Sequence, residues 1–153
     1  MRFTRVTQPV KAAPGRVYQA LVDPVAVATW MVPPGMKSEV HAFDAREGGS
    51  FRITLTYRAP RTGTGKTTGQ TDTFHGRFVE LVPGQRVVQV VEFETDDPAM
   101  RGEMTVRYTL VKAGDTTYVA AEHENLPPGL SEEDNAIGWR LSLAQLARLV
   151  EAG

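Results

Sequence analysis

Residues 50–58, "SFRITLTYR", alternate between polar and apolar side chains with a period of two. Successive side chains of a β-strand point to opposite faces, so Phe51, Ile53, Leu55 and Tyr57 share one face. A strand that is apolar on one face and polar on the other is typical of an antiparallel sheet with one face buried. The segment therefore predicts a half-buried strand that needs neighbouring strands and an apolar cover.

Segments with the same character lie on both sides of it. "SEVHAFDA" precedes it through the turn "REGG"; "DTFHGRFVELV" and "QRVVQVVEFE" flank Pro83-Gly84; "GEMTVRYTLVK" and "TTYVAAEHE" flank Ala113-Gly114-Asp115. Gly and Pro pairs between alternating segments mark turns. With an N-terminal strand in "RFTRVTQPV", these segments predict a curved antiparallel sheet of about seven strands.

Two short helices are predicted between the first strand and the others. "APGRVYQALVD" has Pro14 in its first turn, a position that suits proline. Asp23-Pro24 interrupts the helix because the residue before proline avoids the α region. A second helix in "PVAVATWM" then restarts at a different angle and ends near Trp30 and Met31.

A long helix is predicted at the C-terminus. Ser131 is a suitable N-cap, and the three acidic residues after it favour the positive end of the helix dipole. Trp139, Leu143, Leu146 and Val150 follow helical spacing and form an apolar stripe. The concave face of the sheet is the one surface large enough to cover this stripe. An α+β fold, with the sheet wrapped around the last helix, follows from the pattern.

Composition limits the function further. The 153 residues predict a single domain, 1–153, and the absence of cysteine excludes disulfides and thiolate chemistry. A net charge of −1 gives no electrostatic reason to expect nucleic acid or an anionic membrane as a partner. The chain has neither an apolar run of about 20 residues that could cross a bilayer nor the apolar region of a signal peptide. We expect a cytoplasmic protein.

Gly65-Lys66-Thr67 resembles the end of a nucleotide-binding P-loop. The first glycine of that motif would fall at Pro60, and the sequence after Thr67 alternates like a strand rather than a helix. Without a helix N-terminus to hold a phosphate, the segment is interpreted as a loop between two strands. We expect residues 60–71 to be irregular and exposed and to bind no nucleotide.

No catalytic or metal site is predicted. The histidines His41, His75 and His123 have no metal-ligand spacing between them, and no serine lies in a G-x-S-x-G turn. Glu122-His123-Glu124 places two carboxylates on one face of a strand and an imidazole on the other. The carboxylates are either an acid–base pair or a solvated outer face with His123 turned inward; we favour the second interpretation. No cofactor is expected.

Four segments carry a family resemblance. "APGRVYQALVDPVAVATWM" resembles A-P-x-x-V-[WY]-x-A-[LI]-x-[DN]-P-x-x-[LVM]-x-x-W, and "FDAREGGSFRI" resembles D-x-R-x-G-G-x-[FW]. "HGRFVELVPGQRVV" resembles G-x-[FY]-x-E-[LIV]-x-P-x-x-R-[LIV]-V, and "HENLP" with "GWRLSLAQLARLVE" resembles the G-W-x-x-x-L-x-x-L ending. All are patterns of the SRPBCC, or START-like, superfamily, in the branch named after the activator of heat-shock protein 90 ATPase. The resemblance implies the helix-grip fold.

The resemblance also implies a cavity between the long helix and the sheet, which in family members encloses lipids, sterols, polyketides, hormones or nothing known. No catalytic motif is common to this branch. Binding of a small hydrophobic molecule is therefore the leading hypothesis. The alternatives are a protein-interaction module that regulates a chaperone, and an acid–base enzyme of the cyclase or hydrolase type. The residues predicted to contact a ligand are Trp30, Met31, Phe51, Ile53, Leu55, Val91, Arg107, His123, Trp139 and Leu143.

A second, smaller apolar stripe lies on the opposite side of the last helix. It consists of Ile137, Leu141 and Ala144. A solvated helix normally keeps that face polar. We expect this stripe to contact a flanking loop or, in a twofold homodimer, a second subunit.

Overall fold

A computed structural model describes residues 2–57 and 71–153; the segment with Gly65-Lys66-Thr67 and all but one residue of the predicted loop 60–71 lie outside the described residues. The predicted helix-grip fold of the α+β class is confirmed, with seven strands, two short helices after the first strand and one long C-terminal helix. The elements are β1 (Phe3–Val10), α1 (Pro14–Val22), α2 (Pro24–Trp30), β2 (Met36–Phe43), β3 (Ser50–Tyr57), β4 (Thr71–Val82), β5 (Arg86–Phe93), a 3-10 turn (Pro98–Met100), β6 (Met104–Ala113), β7 (Thr116–Glu124) and α3 (Glu132–Ala152).

The strands form one antiparallel sheet in the order β1-β7-β6-β5-β4-β3-β2. The six strands after α2 are neighbours in chain order, as expected for strands joined by short turns. β1 departs from this order because it pairs with β7, with Val6 opposite Ala121. The first and last strands of the chain therefore lie side by side, and the first strand enters the sheet next to the segment that leads into α3.

Bulges and a glycine allow the sheet to curve. The pairing register shifts between Val40 and Ala42 in β2 and between Phe78 and Glu80 in β4. Each bulge bends its strand and increases the local twist. Gly76 of β4 allows the β5 backbone and the Phe51 ring to approach β4 closely on the inner side of the sheet. A Cβ atom at this position would collide with the Val90 carbonyl oxygen of β5 and lie 2.8 Å from the Phe51 ring.

The concave face carries the apolar positions that the alternation predicts, and α3 packs on it. Phe51 and Ile53 of β3 are buried, as are Leu143, Leu146 and Val150 of α3. The Ser131 hydroxyl accepts a hydrogen bond from the Asp134 amide, which confirms the predicted N-cap. Within the described part of the chain, no helix is long and apolar enough to cross a bilayer.

The end of α2 is attached to α3 by one side chain. The Gln145 amide donates to the carbonyl oxygens of Trp30, at 3.2 Å, and Val32, at 2.6 Å. These carbonyls belong to the end of α2, where the last C=O groups have no partner within the helix. The side chains that follow Trp30, including Met31 and Pro33, are thereby held beside α3.

Gly76→Ala should lower the free energy of unfolding by about 1–3 kcal/mol, because the methyl group has no room between β5 and the Phe51 ring. Gly15→Ala in α1 is the matched control: an added Cβ there meets no atom within 4 Å, and stability should hold or rise by about 0.5 kcal/mol. Urea unfolding of both variants measures the difference. Equal stabilities would show that β4 and β5 do not approach this closely.

Candidate functional site

A cavity of about 240 Å³ separates the N-terminal half of α3 from the concave face of the sheet. Most of its wall is apolar. Its described lining residues are Val27, Met31, Pro33, Phe43, Phe51, Ile53, Leu55, Asp72, Phe74, Gln89, Val91, Phe93, Met104, Val106, Tyr108, His123, Leu130, Asp134, Asn135, Gly138, Trp139 and Ser142.

Secondary-structure periodicity explains which residues reach the cavity. The inward positions of β5 and β6 contribute side chains at every second residue, such as Val106 and Tyr108 of β6. On the opposite side, α3 contributes Asn135, Gly138 and Ser142, which are three and four residues apart and therefore share one helix face. These three residues of α3 are small or polar and Trp139 is the large side chain beside them, whereas the side chains on the sheet side of the cavity are mostly large and apolar.

Seven of the ten residues predicted to contact a ligand line this cavity. Their role in binding stays a prediction, but the structure brings all seven together around one space. Met31 comes from the end of α2, Trp139 from α3, and the other five from strands. The seven are Met31, Phe51, Ile53, Leu55, Val91, His123 and Trp139.

The other three predicted residues lie elsewhere, and the structure corrects their placement. Trp30 is fully buried in the core, and its indole N–H donates to the Ala20 carbonyl oxygen at 2.8 Å. Leu143 is fully buried in the packed part of the α3–sheet interface. Arg107 lies on the outer face of the sheet, where its guanidinium donates to the Glu124 carboxylate at 3.2 Å. Its neighbours in β6 face inward, so the period of two turns Arg107 outward.

His123 is buried at the cavity wall and held by three neighbours. Its Nδ1 accepts hydrogen bonds from the Trp139 indole N–H, at 3.1 Å, and from the Asn135 amide, at 3.0 Å. An indole N–H can only donate, so Nδ1 carries no proton and the neutral ring has its proton on Nε2. That nitrogen lies 3.0 Å from the Met104 sulfur. The Asn135 amide also donates to the Thr4 hydroxyl at 3.1 Å, which connects the histidine to β1.

Burial lowers the pKa of His123 to about 4, because the charged imidazolium would lose its hydration. The side chain is therefore neutral at physiological pH. Since both ring nitrogens already have partners, the ring is not free to take a proton from a molecule in the cavity. Glu122 and Glu124 point to the outer face, as the alternation predicts, and Glu124 is paired with Arg107. His123 is thus a structural group of the cavity wall, with both ring nitrogens used within the protein.

Four uncharged polar residues of the wall were missed by the sequence interpretation: Asn135, which holds His123, and three without a described partner. Gln89, Tyr108 and Ser142 are all buried, and no described hydrogen bond involves their side chains. The Tyr108 hydroxyl is fully enclosed and has no partner among the described residues. Burial also raises the pKa of Tyr108, so the phenol stays protonated. One signal could have found Gln89: it is a polar residue at an inward position within the apolar run "VVQVV".

Among the described residues, no group of three or more His, Asp or Glu side chains could hold a metal ion. The buried carboxyl of Asp72 does belong to the wall, and it is already engaged in an interaction. The structure therefore gives no support for a metal at this site.

Comparison with known proteins agrees with the family resemblance of the sequence and with the observed fold. The family model described as "Activator of Hsp90 ATPase homolog 1-like protein" matches residues 11–151. A crystal structure of a protein from Chromobacterium violaceum is similar with 35% identity and a TM-score of 0.86, covering 97% of this chain and 96% of that one. No curated protein matches the sequence.

Two more distant structures share the fold alone. A crystal structure of a protein from Rhodobacter sphaeroides has 20% identity and a TM-score of 0.77, covering 97% of this chain and 93% of that one. A solution structure of a protein from Arthrobacter aurescens has 14% identity and a TM-score of 0.81, covering 99% of this chain and 87% of that one.

The lowered pKa of His123 predicts a pH dependence of stability. Between the unfolded pKa, about 6.5, and the folded pKa of about 4, the unfolded chain binds one proton that the folded chain excludes. The free energy of unfolding should be fully maintained above pH about 6.5 and should fall by up to about 3 kcal/mol as the pH drops to about 4.

Urea unfolding at a series of pH values measures this slope. Between about pH 4.5 and 6.5, the slope of the free energy of unfolding against pH should contain a contribution of nearly one proton from His123, and His123→Gln should remove that contribution. His41→Gln is the matched control, because His41 is exposed and should leave the slope unchanged. If the wild type and His123→Gln have the same slope, His123 titrates normally and the described network does not hold it neutral.

Proposed function

We propose that this chain, which belongs to the family of Activator of Hsp90 ATPase homolog 1-like proteins, binds a small hydrophobic molecule between α3 and the sheet. The observation that carries the proposal is the cavity itself. Protein interiors are close-packed and contain few voids larger than a water molecule. A space of about 240 Å³ with a mostly apolar wall, partly open to the surface, is larger than such voids, and a bound apolar molecule would fill it.

The expected affinity follows from the apolar area that a ligand would bury. Burial contributes about 25 cal/mol for each Å², so a ligand that buries ~300 Å² gains about 7 kcal/mol before the costs of association. Micromolar binding requires roughly −8 kcal/mol, so apolar burial alone falls short once association costs are subtracted, and polar contacts or a larger buried area must contribute the remainder. The volume lies below the range of about 300–1,000 Å³ typical of sites for drug-sized molecules, which favours a ligand of two or three rings.

The two alternatives have less support from the site. An acid–base enzyme would need a free base at the cavity, and His123 has partners on both ring nitrogens. A protein-interaction module that regulates a chaperone is suggested by the description of the family, and it would use a surface rather than the cavity. The outward stripe of α3, with Ile137 at 46% and Leu141 at 43% exposed, is the feature that favours it.

Filling the cavity should abolish ligand binding without unfolding the protein. Gly138 lies on the cavity face of α3, and an added Cβ meets no atom within 4 Å. Gly138→Leu should therefore place a side chain in the cavity, while Gly138→Ala narrows it slightly. Trp139 lines the same space, so tryptophan fluorescence should report a bound hydrophobe. We expect a fluorescence response from wild type to some members of a hydrophobe panel, a weaker one from Gly138→Ala and none from Gly138→Leu.

Gln19→Leu is the control for an added leucine outside the cavity, since Gln19 is exposed on α1, and it should respond like wild type. Native mass spectrometry of the freshly purified protein is the complementary measurement, because it would detect a molecule that purifies with the chain. If no compound of the panel changes the fluorescence or the melting temperature of the wild type, the binding proposal is wrong and the interaction module becomes the better interpretation.

We also propose that the stripe of Ile137, Leu141 and Ala144 is the contact surface of a homodimer. Two isolated apolar side chains on a surface are ordinary, but these lie one helical turn apart and so form a continuous patch. Leu141→Glu should then convert a dimer into a monomer with little change in the stability of the subunit. Light scattering at increasing concentration measures the mass. A wild-type protein that stays monomeric at high concentration would contradict the proposal.

A further inference from the structure

The polar groups of the cavity wall differ in whether they already have partners. Nδ1 of His123 accepts two hydrogen bonds, and the Asn135 amide donates to both His123 and the Thr4 hydroxyl. By contrast, the Tyr108 hydroxyl is completely buried and has no partner among the described residues. No described hydrogen bond involves the side chain of Gln89 or of Ser142. Buried polar groups are nearly always satisfied in native proteins, so each exception calls for a physical explanation.

Three of the groups without a described partner line the cavity, whereas the buried Ser38 hydroxyl of β2 does not. Gln89 of β5 lies opposite Val106 of β6, and Tyr108 is the next inward residue along β6. Diagonal neighbours on one face of a sheet lie about 7–8 Å apart at Cα, within reach of long side chains. Ser142 faces the same cavity from α3. Tyr108, Gln89 and Ser142 thus bring a phenol, an amide and a hydroxyl to one cavity, although the wall encloses the phenol oxygen in this structure.

The described wall offers no positive charge to a negatively charged ligand. It includes the carboxyl groups of Asp72 and Asp134 but neither lysine nor arginine, and Arg107 points away from it. His123 is neutral at physiological pH and uses both nitrogens within the protein. An anionic head group would lose its hydration here without gaining a positive partner among the described residues.

We propose that the ligand is an uncharged molecule that carries a hydroxyl or carbonyl oxygen on a compact ring system, and that Tyr108, with Gln89 and Ser142, recognises this oxygen. The inference rests on the proposed binding function and specifies its ligand class. The apolar wall binds the frame of the molecule, Gln89 and Ser142 pair with its oxygen from the cavity surface, and the enclosed Tyr108 hydroxyl donates a hydrogen bond to that oxygen once the bound molecule displaces the wall around it. A site whose buried polar groups are built to pair with a ligand discriminates against analogues that leave them unpaired.

The test compares three probes with the same two-ring frame: naphthalene, 2-naphthol and 2-naphthoate. Titration calorimetry at neutral pH gives the dissociation constant of each. We expect 2-naphthol to bind about tenfold more tightly than naphthalene, because one buried hydrogen bond is gained, and naphthoate to bind most weakly. Tyr108→Phe should remove most of the advantage of 2-naphthol and leave the affinity for naphthalene unchanged.

Tyr118→Phe is the matched control, because Tyr118 is exposed on the outer face of β7, and it should bind all three probes like wild type. Circular dichroism and the melting temperature establish that each variant is folded. Ser142→Ala and Gln89→Leu provide independent tests, and each should reduce the ratio between the dissociation constants of naphthalene and 2-naphthol.

The outcomes separate this inference from the binding proposal. If naphthalene and 2-naphthol bind equally, or if naphthoate binds most tightly, the inference is overturned while hydrophobic binding stands. If 2-naphthol keeps its advantage in Tyr108→Phe and in both other variants, these residues do not recognise the oxygen and the assignment is wrong. If neither these probes nor a broad hydrophobe panel binds, the binding proposal itself fails, and the inference with it.

Discussion

The packing of α3 on the concave face of the sheet determines the rest of the structure. In the C-terminal half of the helix, the fully buried Leu143 and Leu146 fill the space against the strands. In the N-terminal half, the same interface presents Gly138 and Ser142, whose side chains are too small to fill it. Because the curved sheet does not close onto these two smaller residues, the cavity lies beside them, with Trp139 of the same helix as part of its wall. One helix thus provides both the core and the roof of the site.

Two buried polar groups near the cavity have opposite physical roles. His123 is satisfied by Trp139 and Asn135, so it fixes the orientation of an aromatic wall and connects α3 with β7. Tyr108 packs edge-on against the Trp139 ring, with centroids 5.7 Å apart, but its hydroxyl has no partner among the described residues. A satisfied group contributes to rigidity, whereas an unsatisfied one costs stability until something binds to it. The satisfied His123 therefore suits a structural role, and the unsatisfied Tyr108 hydroxyl suits the proposed recognition of a ligand.

The charged residues are placed so that they do not interfere with this chemistry. On the outer face of the sheet, Arg52 pairs with Glu94, and Arg107 pairs with Glu124. Such exposed pairs contribute little to stability, but their position keeps these four charges outside the cavity, whose described wall has only the carboxyl groups of Asp72 and Asp134 as charged groups. The carboxylates that flank His123 in the sequence belong to this outer layer, which is why an acid–base reaction in the cavity has no structural basis among them.

The amino-acid sequence alone determined the order of elements and the side of each element that faces inward, because both depend on local periodicity. That is why Phe51, Ile53 and Leu55 were predicted correctly as inward residues. Arg107 was predicted on the wrong face because a shift of one residue reverses the faces of a strand. Trp30 and Leu143 were wrongly predicted to line the cavity because an inward direction does not show whether a side chain meets other atoms or empty space. The tertiary structure alone decided where the cavity lies and which polar group in it lacks a partner. A cavity is the difference between the volume enclosed by the fold and the volumes of side chains from segments far apart in the chain, and no local pattern encodes that difference.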